Sequence, residues 1–252
     1  SAGMAGAALY IAVAVVFPFL ILAQLLIATG GSSFFSDISM ALMGRSRGGA
    51  GKIAIMGSAF FGSVSGSAVS NVASTGAITI PLMKEGGYKP RTAAAIEAAA
   101  STGGQLMPPI MGASAFLLAE NLQVTYGAVM LAALIPSLLY YLALFIFADL
   151  EAARQGIARV EESRIPRAAA VLARGWFVVA PFVVLLAGLF AFNLRPETAA
   201  LWAVGALFAL SLWRTYSGGR IDWRTLVEAF SRAGRAGVEI VLICAVAGMI
   251  IG

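Results

Sequence analysis

The chain has 252 residues, 60% of them hydrophobic and only 12% charged, where a soluble domain carries about 25% charged residues. The net charge of +5 comes from basic residues set between apolar blocks rather than gathered on one soluble face, so it is no nucleic-acid footprint. There is no histidine, which excludes Ser-His catalysis, His-ligated metal and haem held by His, and the one cysteine, Cys244, sits in an apolar run where packing is its expected role.

In chain order, the apolar blocks long enough to cross a bilayer, at roughly 20 residues each, fall at 5–29, 91–119, 124–147, 175–193 and 198–213, with a last one starting near 236. Two shorter stretches are amphipathic. Residues 34–44 put Phe34, Ile38 and Leu42 on one face. Residues 222–235 start at Asp222 as an N-cap and put Trp223, Leu226, Val227 and Phe230 on one face. Both adjoin basic clusters and are expected to lie flat at the cytoplasmic interface. The chain starts at Ser1 without an initiator Met or a charged leader and stops inside an apolar run, which reads as a fragment of a longer protein.

The basic residues form four clusters: Arg45, Arg47 and Lys52; Lys84, Lys89 and Arg91; Arg154, Arg159, Arg164, Arg167 and Arg174; and Arg214, Arg220, Arg224, Arg232 and Arg235. Placing all four in the cytoplasm satisfies the positive-inside rule and turns Glu120–Asn121 and Arg195 outward. Lys52 and Lys84 then share a side, and 53–83 is too short for two full crossings, which need roughly 40 residues. The expectation is a re-entrant hairpin that enters from the cytoplasm and turns at the small, polar run from Gly62 to Asn71 (GSVSGSAVSN). Irregular backbone at membrane depth is tolerated only where it is buried in protein or lines a cavity. The next block is also interrupted, by Ser101 to Pro109 (STGGQLMPP), where two prolines remove backbone donors. That predicts a discontinuous helix. The loop 148–174 is the expected border between two structural halves.

A hairpin followed by a broken helix is the arrangement of a transporter binding site: unwound carbonyls, hydroxyls and amides supply hard oxygen ligands. Gly62 and Gly66 also read as a small-xxx-small packing pair. Glu97 is the clearest ionisable residue inside a span. It reads equally as a functional carboxylate or as a structural group near the interface, in an ion pair with Arg91 or a water pocket. Glu239, at the start of its span, is expected at the interface, and Met107 and Met111 are expected to pack.

The run from Phe61 to Pro90 (FGSVSGSAVSNVASTGAITIPLMKEGGYKP) resembles the first hairpin of the large permease of tripartite ATP-independent periplasmic (TRAP) transporters. The run from Glu97 to Phe116 (EAAASTGGQLMPPIMGASAF) is similar to that family's next broken helix, in a form closest to fused permeases that work with TAXI-type binding proteins. The resemblance is dense over about 45–150. It implies an all-α, polytopic protein of the bacterial or archaeal cytoplasmic membrane. Residues 1–150 would form the first of two inverted repeats, 151–174 a cytoplasmic loop, and 175–252 helices leading into the second. It also implies an elevator-type symporter for small organic acids, not an enzyme. Its partners would be the lipid bilayer, an extracytoplasmic substrate-binding protein and a small permease subunit or fused equivalent. No cofactor is implied beyond sodium as coupling ion, and no ATP-binding phosphate loop occurs in the sequence.

Carried over by position, Ser65, Gly66, Ser67, Ser70, Asn71, Thr102, Gly103, Gly104, Gln105 and Pro108 would contact substrate and sodium. The ion itself would fall to Ser65, Ser67, Asn71, Gly103 and Gly104. The rival readings are a binding-protein-independent sodium/dicarboxylate-type carrier and a channel with a hairpin filter. An intramembrane aspartyl protease is disfavoured, because Asp37, Asp149 and Asp222 all fall in loops.

Overall fold

The computed structural model describes residues 7–213, 215–216 and 221–251, with the side chains at 7–8, 239, 243–244 and 247–251 left aside. The expectations for Arg214, Arg220, Glu239 and Cys244 therefore lie outside the described residues and side chains. The described residues are helical with no strand: α1 (Ala7–Tyr10), a π-helical stretch (Ile11–Val16), α2 (Phe17–Ala28), α3 (Gly31–Met43), α4 (Gly49–Ser65), α5 (Ala68–Glu85), α6 (Pro90–Gly103), α7 (Ala113–Leu122), α8 (Tyr126–Gln155), α9 (Ala168–Phe190), α10 (Pro196–Ser211) and α11 (Trp223–Ile251). Among the described residues, three helical stretches are long and apolar enough to cross a bilayer: Ile11–Ala28, Tyr126–Gln155 and Glu162–Phe190. The protein is an all-α membrane protein.

The chain forms two compact units. One comprises the chain up to Gly30, Ala113–Met130 and everything from Phe177 onward; the other comprises Gly31–Gly112 and Leu131–Trp176.

In the first unit, α11 and α10 pack on α2. Gly237 of α11 lies over Phe17, where an added Cβ would come within 3.3 Å of the ring. Phe116 stacks on Tyr126 at 4.3 Å, and Phe19 packs against both. The separate interfacial helix expected over 222–235 is not found, because α11 runs unbroken from Trp223 to Ile251. No proline interrupts it, and the charges of 224–235 do not disfavour a helix, so the change from polar to apolar alters what the helix touches and not its course. Asp222 accepts from the Trp223 N–H at 2.7 Å.

In the second unit α4 is central, packed by α3, α5 and α6. Phe34 and Ile38 of α3 are buried, whereas Leu42, placed on the same face by the sequence, is 49% exposed. Ala50, Ala54, Ile55, Ala59, Met83 and Tyr88 form the base of the core. The Tyr88 hydroxyl donates to the Gly48 carbonyl at 3.1 Å. At this end the basic residues are bridged: Asp149 takes Arg47 and, at 2.6 Å, Lys52, while Arg164 reaches Glu85, Arg45 reaches Glu162 and Arg174 reaches Asp37. Lys52 at the start of α4 is thus tied to α8, and Glu85 at the end of α5 to the segment that follows α8.

α8 differs in length from the expectation: it continues to Gln155, eight residues past 147. The addition carries alanine and charged residues at helix-compatible positions, so polarity had marked a change of surroundings rather than an end of helix. α9 spans Ala168–Phe190, and the expected start at 175 falls on its kink, where Gly175 has non-helical φ −114° and ψ 15°.

Candidate functional site

The tip of the hairpin is built by its own sequence. Ser65 ends α4. Gly66 follows with φ +60°, and its N–H bonds back to the Gly62 carbonyl at 3.0 Å, the left-handed close that glycine makes without a Cβ penalty. Ser67 is extended, and its hydroxyl accepts the Ser70 N–H at 3.3 Å, capping α5. Two residues thus reverse the chain.

The second interruption lies further along than the sequence suggested. Ser101, Thr102 and Gly103 still belong to α6. Unwinding covers 104–112, beginning with N–H bonds shortened to three-residue steps, Gly104 to Ser101 and Gln105 to Thr102, both 3.2 Å. The prolines at 108 and 109 forbid the helix from resuming, and α7 starts only at Ala113.

The two interruptions meet. The Ile110 N–H donates to the Ser63 carbonyl at 3.0 Å, so the break satisfies an acceptor that the end of α4 leaves open. A Cβ added to Gly66 would lie 2.0 Å from the Met111 carbonyl oxygen. One added to Gly62 would lie 2.4 Å from the Gly104 Cα. Glycine is required at both because backbone touches backbone there.

Of the residues expected to act together, Ser65, Gly66, Ser67 and Gly104 are gathered at this junction. Asn71 is fully buried beside it, its amide nitrogen donating to the Ser58 carbonyl at 2.9 Å and facing the Ser101 carbonyl at 3.5 Å. Gly103 is buried under Tyr140, whose ring an added Cβ would meet at 2.4 Å. Ser70 and Pro108 are half-buried at the edges. Thr102 and Gln105 are exposed, and the Thr102 hydroxyl is spent on its own helix, on the Ala98 carbonyl at 2.8 Å. Met111 packs, buried to 3% exposure.

Glu97 lies behind the junction with no accessible surface, and among the described residues it forms no ion pair. Arg91 is exposed, so the interfacial pair with it is not what holds Glu97. Four hydroxyls surround the carboxylate instead. Oε1 accepts from Thr75 at 2.5 Å, Ser58 at 3.1 Å and Ser101 at 3.2 Å, and Oε2 accepts from Thr79 at 2.5 Å. Sequence reading missed Ser58, Thr75, Thr79 and Ser101. Their signal was present: Thr75 and Thr79, like Glu97 and Ser101, stand four apart, on one face of otherwise apolar or small-residue helices.

A family model described as the tripartite ATP-independent periplasmic transporter, DctM component, matches residues 3–252. Among curated proteins, the isethionate TRAP transporter permease protein DctMQ of Oleidesulfovibrio alaskensis is 30% identical over 89% of this chain and 35% of its own length. The C4-dicarboxylate TRAP transporter large permease protein DctM of Pseudomonas aeruginosa is 30% identical over 78% of the chain and 46% of its own length. The sialic acid TRAP transporter large permease protein SiaM of Vibrio cholerae is 27% identical over 77% of the chain and 45% of its own length. The chain spans less than half the length of each of these relatives.

Proposed function

This chain belongs to the DctM component family of tripartite ATP-independent periplasmic transporters, and from that premise we propose that it contributes one half of the transport site of a sodium-coupled permease for small organic acids. The observation that carries the reading is the junction itself. A hairpin tip rich in hydroxyls and a helix break of unwound main chain come into backbone contact within one unit.

Sodium is a hard cation that neutral oxygens hold, and Ser65, Ser67, Asn71 and the main chain at Gly103 and Gly104 offer such oxygens. Among the described residues no three acidic, His or Cys side chains converge to hold a more demanding metal. Unwound backbone facing an ion and an anionic solute is the membrane form of a helix-terminus site. The half-buried Ser70, Pro108 and exposed Thr102 and Gln105 would line the approach of the solute.

The hairpin arms support a re-entrant placement. α4 has 17 residues, about 26 Å of helix, short of the roughly 30 Å hydrocarbon core. In an elevator cycle the unit holding the hairpin would be the moving part. The relatives are named for isethionate, C4-dicarboxylate and sialic acid, all acids, which supports an organic acid as cargo. An extracytoplasmic binding protein would deliver it, a small permease subunit or fused equivalent would accompany the chain, and the cytoplasmic membrane of a bacterium or archaeon would house it in several crossings.

The test is uptake into proteoliposomes by the complete permease carrying this chain, with its binding protein and a labelled panel of those acids. Saturable uptake that needs an inward sodium gradient, and a weakened apparent sodium affinity in Ser65→Ala and Asn71→Ala, are expected. Uptake indifferent to sodium, or to both substitutions, would remove the site.

A further inference from the structure

We propose that Glu97 is a reversible proton-binding site, built so that its carboxyl is hydrogen-bonded in full whether or not it carries the proton. The proposal stands on the cage around Glu97 and does not need the sodium reading of the hairpin tip.

The cage is contributed by three helices: Ser58 from α4, Thr75 and Thr79 from α5, Ser101 from α6. Gly76 makes room for the stem of Glu97, whose Cγ would lie 3.2 Å from a Cβ there. α8 adds the phenol of Tyr141, the titratable group that acts on Glu97 from that side; its hydroxyl is committed to the Ala100 carbonyl at 2.9 Å. No lysine or arginine among the described residues pairs with the carboxylate. A permanently charged carboxylate without a cation is a costly thing to bury.

Counting protons resolves the problem. With Glu97 ionised, each of the four hydroxyls gives its single proton to the carboxylate. With Glu97 protonated on Oε2, the new O–H donates to Thr79 Oγ1. Thr79 then turns its own proton to the Thr75 carbonyl oxygen, 3.0 Å away. Protonation on Oε1 works the same way through Thr75, which has the Asn71 carbonyl at 2.8 Å and the Asn71 side-chain oxygen at 3.2 Å as fallbacks. In each case one O–H bond forms with a proton from water, one hydroxyl rotates, and no buried donor is orphaned. Release reverses the step and returns the proton to water. A metal cation is a poorer occupant, because four O–H groups would first have to turn away from the carboxylate.

Protonation on Oε1 has a consequence for the neighbouring junction. It frees Thr75 to donate to the Asn71 side-chain oxygen, so a proton on that oxygen and the hydrogen bonding of Asn71 are linked through one hydroxyl.

The test is infrared difference spectroscopy between acidic and alkaline buffer on the purified complete permease, which needs neither substrate nor sodium. A carboxylic-acid carbonyl band that appears on acidification and vanishes in E97Q is expected. In Thr79→Val the band should persist at a shifted frequency, because the partner of Oε2 is gone. An acid-minus-alkaline spectrum identical in E97Q and wild type would overturn the proposal. Should E97Q not fold, Thr79→Val decides, and an unmoved band there overturns it. Loss of transport with these spectra intact would count against the sodium permease reading alone.

Discussion

α8 from Leu131 onward and the hairpin with α6 are built on opposite plans within the same unit. α8 is apolar and turns its large side chains outward: Leu131, Ile135, Leu139 and Leu150 are each 58% exposed or more. From Leu131 onward only a narrow stripe, Ser137, Tyr141, Ala148 and Ala152, is buried. The hairpin and α6 do the reverse. They are made of small and polar residues, and they bury Ser58, Asn71, Thr75, Thr79, Glu97 and Ser101. A protein in water could not afford this arrangement, since an apolar outer face of such extent would associate. In a bilayer the outer face is solvated by lipid, and packing falls to small residues and polar contacts. The buried stripe of α8 serves the polar region directly: Tyr140 and Tyr141 donate to the Ala99 and Ala100 carbonyls at 2.8 and 2.9 Å, near the end of α6.

The sharpest way to break the polar region is at its narrowest contact. Gly66→Val puts a branched side chain at φ +60° and against the Met111 carbonyl. Strain and overpacking together should cost about 4 kcal/mol, separate the tip from the break and abolish uptake. Thermal unfolding in detergent and transport assays check this together. Native stability with the variant would show that the two interruptions do not touch.

Next in size is Glu97→Ala. It removes the acceptor of four buried hydroxyls and leaves a hole, for an expected loss of about 3 kcal/mol. E97Q keeps the volume and most of the acceptors and should lose less than half of that. If the two variants unfold alike, the hydroxyls are not paying their protons to this carboxyl. On the apolar side, Leu139→Arg should disfavour membrane insertion by about 2.5 kcal/mol while barely changing unfolding in detergent. Equal effects in both media would mean that the outer face of α8 does not meet lipid.

How much of this was legible follows from what each feature depends on. The hairpin could be read because its turn is local: Gly66 and Ser67 fix it by φ and by a side-chain cap, whatever lies around them. The second interruption was readable as an interruption but misplaced at its start, since Ser101 to Gly103 can stay helical when tyrosines from α8 cover their turn. Helix ends marked by polarity were the weakest. α8 runs through Pro136 to Gln155 and stops at Gly156, whose φ is +67°, and α11 passes through Arg232 and Arg235, because charge reports surroundings and a left-handed glycine reports termination. Glu97 stood out as an ionisable residue, yet its partners did not. Which hydroxyls reach it depends on how three helices cross, a property that no single helix encodes. Thr102 and Gln105 failed to join the junction for the related reason that α6 continues to Gly103 and sets their facing.

The smallest effects test the comparison on one helix. Tyr141→Phe removes a hydroxyl from the buried stripe and leaves the Ala100 carbonyl without that donor, for a loss of about 1 kcal/mol. Two residues earlier, Leu139→Ala removes more atoms, but from a side chain 60% exposed, and it should change unfolding in detergent by less than about 0.5 kcal/mol. A soluble helix would rank these the other way, because truncating a leucine usually costs more than deleting one oxygen. The inverted order, measured by chemical denaturation of the two variants side by side, is what a helix with lipid outside and polar contacts inside requires. The opposite order would mean that α8 packs its leucines against protein and that its tyrosines are ornaments of the α6 terminus rather than its supports.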